Sequence, residues 1–364
     1  MKKILVVAGA RPNFMKIAPL MRAALKRPNE LKLKLVHTGQ HFDHAMSDVF
    51  FQELGIPEPD FHLNVGPGTQ TEQMARIMIA FEQICLTEKP FGVIVVGDVT
   101  STIATALVAK RLDIKVFHVE AGLRSGDMGM PEEVNRVLTD SISDLLFVTE
   151  ESGIQNLKKE GVDDTKVQFV GHVMVDTLFY QRSKLKDADP GTWVSPALKS
   201  KLKEYAVVTF HRPSNVDDAD VLKNLVECLN TLSQRIPIVF PIHPRTSGNL
   251  KKFGLGLNPS VIQTPPMSYM DFLNLWQDAK FVMTDSGGLQ EETTAIGVPC
   301  LTARPSTERP VTVTEGTNTV VGTDTKTILA AAFNIIENGG KRGQRPRFWD
   351  GSASERIIDI VIQQ

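Results

Sequence analysis

Cysteine is scarce: Cys85, Cys228 and Cys300 are the only three, far apart and odd in number. That pattern argues against a zinc site and for buried thiols in a reducing compartment. Net charge is nearly absent, at -2, which argues against a nucleic-acid scaffold or a basic membrane-surface protein. No apolar run approaches the length of a membrane span. The opening "MKKILVVAGARPN" carries two lysines and a short apolar run, but Arg11 and Pro12 follow it without a cleavage site. It reads as a first β-strand, not a signal peptide. These features predict a cytoplasmic protein with no nucleic-acid or membrane partner. Motifs are missing too. No G-x-G-x-x-G follows the first strand, so a bound dinucleotide is not expected, and there is no P-loop or G-x-S-x-G elbow. His37, His41 and His44 straddle a strand end and a loop without an acidic ligand set, so no metal site is expected.

What is present is a repeating pattern. The 364 residues are long enough for two domains, and 42% hydrophobic with 23% charged residues is ordinary for a globular chain. Short β-branched runs alternate with helical patterns. "KILVVA", "LKLKLVH", "GVIVVG", "IKVFHVE", "DLLFVTE" and "KVQFVG" lie in the first half. "YAVVTFH", "IPIVFPIH", "PSVIQT", "KFVMTD", "VPCLTA" and "NTVVGT" lie in the second. Such runs predict parallel sheets covered on both faces. A single open sheet of about twelve strands would be unusual. The expected fold is therefore α/β, with two Rossmann-like doubly wound domains and a cleft between them. The break is placed between Gly171 and Trp193. This gives a first domain over 1–170, a second over 171–345, and a C-terminal helix over 346–364 free to pack on either.

Ligands of open parallel sheets bind beyond the carboxyl ends of the strands, so the residues there matter most. After "KFVMTD", Asp285 or Ser286 can cap a helix, and Gly287 and Gly288 bare its first N–H groups. That is a phosphate cradle, with Glu291 and Glu292 further on able to hold ribose hydroxyls. A tight turn with dipole-favoured acids fits the same residues. Arg11 and Lys16 surround a helix N-terminus, where cations are disfavoured unless an anion is bound; two solvated charges are the plainer reading. Asp98 and Glu120 follow consecutive strands and emerge on one sheet edge, as a general acid and base would. Asp98 could instead cap the helix near Thr100. Pro131, Glu132 and Glu133 open a helix, where acids commonly serve only the dipole. His211 and Arg212 follow the first strand of the second half, placed to neutralise or protonate a leaving phosphate or merely to pack a loop. His243 and Arg245 pose the same question, and Arg309 adds a further cation after a strand.

Together these stretches resemble one family, the non-hydrolysing UDP-N-acetylglucosamine 2-epimerases. The match runs in order through "GARPNFMKIAPL", "HTGQHFD", "VVGDVTST", "HVEAGLRSGD", "PEEVNR", "FHRPSN", "DSGGLQEE" and "STERP", nearly the whole chain. The resemblance implies the two-domain architecture shared with one large class of glycosyltransferases, called GT-B. It also implies cofactor-free inversion at C2 of a UDP-sugar, UDP-N-acetylglucosamine to UDP-N-acetylmannosamine, through a glycal. By motif, Asp98, Glu120 and Glu132 carry over as acid–base residues and His211 as the helper of UDP departure. Arg11, Lys16, Ser286, Gly287, Gly288, Glu292 and Arg309 carry over as UDP-binding residues. The family's usual homodimer is implied, with Thr102–Leu112 as a candidate partner surface. The sequence departs from the family pattern in two places. Ala10-Arg11-Pro12-Asn13 stands for Thr-Arg-Pro-Glu, and His211-Arg212-Pro213-Ser214-Asn215 for His-Arg-x-Glu-Asn. The stretch "QHFDHAMSDVFFQELGIPEPDF" is closer to relatives acting on UDP-2,3-diacetamido uronic acids. A hydrolysing epimerase, a GT-B glycosyltransferase and a non-catalytic nucleotide-sugar sensor are the competing readings.

Overall fold

The structure, a computed structural model, describes residues 1–39 and 48–364. All twelve β-branched runs form strands. Two compact units result: residues Met1–Phe179 with Arg347–Gln364, and residues Tyr180–Pro346. The division falls inside the helix Val173–Lys184.

In the first unit the strands are β1 (Lys2–Ala8), β2 (Leu31–His37), β3 (Phe61–His62), β4 (Gly92–Val96), β5 (Lys115–Ala121), β6 (Leu145–Val148) and β7 (Val167–Phe169). They pair in the order β3-β2-β1-β4-β5-β6-β7, every pair parallel. The two-residue β3 was not expected; "FH" at a sheet edge is too short to show a period. β4 is buried along its whole length, as a strand with helices on both faces must be. Leu5, Val7, Val93, Val95 and Val116 form one side of its core with Phe81 and Cys85. The C-terminal helix Ala353–Gln363 packs on the helix Arg11–Leu25. Asp176 accepts from the Ala353 and Ser354 N–H groups at 3.1 and 2.7 Å, closing that helix's first turn.

The second unit holds β8 (Ala206–Thr209), β9 (Ile238–Pro241), β10 (Val261–Thr264), β11 (Phe281–Thr284), β12 (Cys300–Thr302) and β13 (Asn318–Val320). Their order is β10-β9-β8-β11-β12-β13, again all parallel. Both sheets are thus wound outward in two directions from a central pair, β1/β4 and β8/β11. That switch point is where such folds place ligands. Val208, Phe210, Ile238, Phe240, Phe281 and Met283 lie in the core of this unit.

The candidate partner surface does not survive. The helix Thr100–Arg111 packs between the helices Gln70–Glu88 and Pro131–Ile142. Thr102 through Ala106, Val108 and Ala109 are buried, and of Thr102–Leu112 only Lys110 and Arg111 are exposed. Its small residues serve close helix packing within the chain. No helix among the described residues is long and apolar enough to cross a membrane.

Candidate active site

In the first unit, β1 ends at Ala8 and Arg11 opens the helix Arg11–Leu25, with Pro12 in its first turn. Asn13 Oδ1 accepts from the N–H groups of Gly9 and Ala10 at 3.1 and 3.0 Å. Its amide also reaches the Val96 carbonyl at 3.4 Å. The Asn13 departure therefore still closes the turn, with a neutral group. Lys16, one turn on, forms an ion pair with Glu120. Glu120 is 3% exposed and sits at φ +73°, a left-handed backbone that L-residues adopt at a cost of about 1–3 kcal/mol. The β5–β6 register shifts between Val119 and Ala121, at the position of this residue. Neighbouring Gly97, at φ +64°, leaves room for the ammonium; a Cβ there would lie 2.9 Å from Lys16 Nζ.

Asp98 does not cap the following helix. The cap is Val99, without a side-chain bond, and Asp98 instead pairs with Arg136 of the helix Pro131–Ile142. Asn135 holds the Asp98 carbonyl at 2.9 Å. Arg136 also pairs with buried Glu133. Burial opposes the charge of Glu133, but the Ser125 and Gly126 N–H groups and Arg136 outweigh it and hold its carboxyl below the usual range. Glu132 is exposed in the first turn, one turn before Arg136 on the same helix face. Asp98 and Glu120 thus stand at the carboxyl ends of paired strands β4 and β5, each beside its own cation. Arg136 and Glu133 lay within a quoted motif, but nothing in the sequence assigned them these partners.

In the second unit, Asp285 follows β11 and is fully buried. It does not cap the next helix either. Its Oδ1 lies 2.9 Å from His211 Nδ1. Its Oδ2 accepts from the N–H groups of His211 and Arg212 at 2.9 and 3.0 Å and from Asn215 at 3.2 Å. Burial works against its charge, yet His211 and these N–H groups keep its carboxyl below the ordinary range. The carboxylate thus faces Nδ1, and Nε2 is the other nitrogen of a half-exposed ring.

Ser286 is the N-cap of the helix Gly287–Ile296 and makes no side-chain cap bond. A Cβ added at Gly287 or Gly288 would meet nothing within 4 Å. The protein's own packing therefore does not require glycine at either position. Gln290 donates to the Ser286 carbonyl at 3.1 Å and accepts from Thr307 at 2.6 Å. Thr307 in turn accepts from the Arg309 N–H at 3.0 Å. Arg309 pairs with buried Glu291. Glu292, the acid one residue on, accepts from the Tyr269 hydroxyl at 2.7 Å. Burial and Glu292 push that phenol's pKa well up. Beyond β8, β9 and β10 lies a cavity of about 190 Å³, lined by Phe210, His211, Pro241, His243, Met267 and Phe272 among others. Sequence reasoning missed this cavity, because its apolar walls come from loops far apart in the chain.

Of the other expected residues, His41 and His44 lie outside the described residues, as does most of the "GQHFD" motif. His37 is buried, and burial with nearby His62 pushes its pKa down to about 4.

A family model described as UDP-N-acetylglucosamine 2-epimerase matches residues 23–362. The chain is 41% identical over 367 residues to the UDP-N-acetylglucosamine 2-epimerase of Methanocaldococcus jannaschii, covering 99% of this chain and 98% of that protein. It is also 41% identical over 370 residues to the UDP-2,3-diacetamido-2,3-dideoxy-D-glucuronate 2-epimerase of Pseudomonas aeruginosa, 99% of each being covered. Among solved structures, that of the M. jannaschii enzyme in complex with UDP-GlcNAc and UDP superimposes with a TM-score of 0.86 at 39% identity over all of both chains. The MurG structure of Acinetobacter baumannii, 10% identical with a TM-score of 0.57, shares the fold alone.

Proposed function

Because the chain belongs to the UDP-N-acetylglucosamine 2-epimerase family, we propose that it is an isomerase inverting C2 of UDP-N-acetylglucosamine to give UDP-N-acetylmannosamine. A carboxylate of the first unit removes the C2 proton. The C2–H pair becomes the C1–C2 double bond, and the C1–O pair leaves with UDP. The glycal and UDP then recombine: the UDP oxygen attacks C1, and a carboxyl group returns a proton to the opposite face of C2. No electron is gained or lost, so no redox partner is needed.

The observation that carries this reading is the placement of Asp98 and Glu120 at the ends of adjacent strands, each held by its own cation. Two ionisable groups in different surroundings suit opposite halves of a proton exchange. With Glu132 they are the acid–base set. His211, a protonated ring held at Nδ1 by Asp285, donates its Nε2–H to the departing phosphate oxygen. The glycine turn at Ser286, Gly287 and Gly288 takes the diphosphate on its N–H groups. Glu292, oriented by Tyr269, accepts from the ribose hydroxyls. The cavity at Phe272 and Met267 is of the size and polarity to hold the uracil ring. Arg11, Lys16 and Arg309 supply the remaining positive charge. Lys16 and Arg309 are ion-paired to Glu120 and Glu291, so each shares its charge between carboxylate and phosphate.

A second reading, C2 inversion of a UDP-2,3-diacetamido uronic acid, is favoured by the equal identity to the Pseudomonas aeruginosa enzyme. We further propose a cytoplasmic homodimer. Three buried, unpaired thiols suit that compartment. Ile79 and Leu86, exposed two turns apart on the helix Gln70–Glu88, suit a second copy.

The decisive experiment incubates the protein with each sugar nucleotide in deuterated water and follows the products by NMR. Deuterium at C2 with the UDP linkage intact supports the epimerase, and the faster substrate identifies the sugar. Free sugar means hydrolysis. No exchange with either substrate overturns the proposal.

A further inference from the structure

His118 lies in β5, two residues before Glu120, and is completely buried. Its Nε2 is 2.8 Å from the Gly97 carbonyl and its Nδ1 is 2.7 Å from Asp140 Oδ1. We propose, on the epimerase reading, that His118 is a positioning residue: an imidazolium that, with Asp140, fixes the relative placement of the three acids.

The protonation state follows from the partners. A carbonyl oxygen only accepts. Asp140 is a carboxylate, which also only accepts. Burial opposes its charge, but His118 and Arg124 beside it hold its carboxyl below the ordinary range. Both ring nitrogens must therefore donate, and the ring carries both protons. The second Asp140 oxygen accepts from the Gly122 N–H at 3.0 Å and pairs with Arg124 at 2.7 Å. Arg124 is covered on its far side by Glu160, also at 2.7 Å.

The connections define the role. Gly97 immediately precedes Asp98. β5 carries Glu120, and Gly122 follows it. Asp140 belongs to the helix that carries Glu132 and Arg136. One ring thus ties together the turn, the strand and the helix from which the acid–base set projects. The Gly97 N–H bonds the Val119 carbonyl at 3.0 Å, so the turn is held from both sides. Burying such charges gains little stability over apolar packing. What it supplies is direction, since polar partners at both ring nitrogens fix how the ring and the three elements around it are oriented. Among the described residues, the polar partners of the His118 ring are Asp140 and Gly97, neither assigned to UDP.

The test uses the full-length protein with His118→Asn and His118→Gln. Asn retains a donor near the Nδ1 position, and Gln one near the Nε2 position. Each is expected to lower kcat for C2 deuterium exchange roughly ten- to hundredfold, while calorimetric affinity for UDP stays within about twofold. A merely structural histidine would lower both together, and that result overturns the proposal. So do folded variants with wild-type kcat. On the unaltered protein, nitrogen-15 NMR at neutral pH is expected to show a ring with two protonated nitrogens in slow exchange with water. A neutral tautomer at His118 overturns the proposal whether or not the variants fold. Absence of exchange by the unaltered protein overturns the epimerase reading instead, so the two failures are separable.

Discussion

Asp285 holds His211 by two points at once, the ring Nδ1 at 2.9 Å and the backbone N–H at 2.9 Å. The carboxylate fixes both where the loop runs and which ring nitrogen faces outward. Replacing it with asparagine leaves the loop bonds an oxygen but removes the negative charge that faces the ring.

Asp285→Asn is accordingly expected to reduce kcat for C2 exchange by roughly a hundredfold, the usual scale of a general acid. UDP affinity measured by calorimetry is expected to change little. A variant exchanging at the wild-type rate removes His211 from proton transfer.

Lys16 and Glu120 give a coupled prediction. Lys16→Met leaves a buried carboxylate short of its cation, which costs roughly 3 kcal/mol in denaturant unfolding. Lys16→Met combined with Glu120→Gln is expected to recover most of that loss, while C2 exchange stays abolished. Additive destabilisation in the double variant shows that the pair is not coupled.

Gly287→Ala and Gly288→Ala are expected to separate stability from binding. A methyl group at either site meets nothing in the protein, and alanine favours a helix over glycine by up to about 1 kcal/mol. The thermal midpoint should hold or rise while UDP affinity falls at least about tenfold. Gly171→Ala is the contrasting control, because its Cβ would lie 2.0 Å from the Phe348 carbonyl. It should lose stability.

Glu308 supplies a pH dependence. Burial would raise its pKa, but the Arg304 fork at 3.0 and 2.6 Å lowers it from 4.5 to about 2. A depressed folded value stabilises the protein above the unfolded value, and that stability disappears as pH falls through the folded one. Denaturant unfolding at pH 7 and pH 3 should show Glu308→Gln less stable than wild type at pH 7, by at most about 3 kcal/mol. The gap should narrow at pH 3. Parallel stability curves would show that the ion pair contributes nothing.

The strands were legible because buried parallel strands are written as continuous apolar runs. β3 was not, since two residues carry no period. The positions of Asp98 and Glu120 followed from strand ends alone. The partners of Asp98 and Asp285 did not. Each sits where a helix cap is the economical local reading, and each turns instead to a group distant in sequence, Arg136 or His211. Local capping rules lost to an ion pair that only the folded sheet brings into reach. Glu132 and Glu133 show the same limit: adjacent identical residues, one exposed and one buried among N–H groups, differ only in the direction the helix turns. The cavity at Phe272 left no trace, because no single stretch of sequence contains it.

The return of residues 347–364 to the first unit has a consequence for synthesis. That unit's closing helix is translated only after all of the second unit has been made. On the ribosome, the surface of the helix Arg11–Leu25 that it covers stays bare until the final stretch emerges. The second unit, whose residues are contiguous, waits on no later segment of the chain.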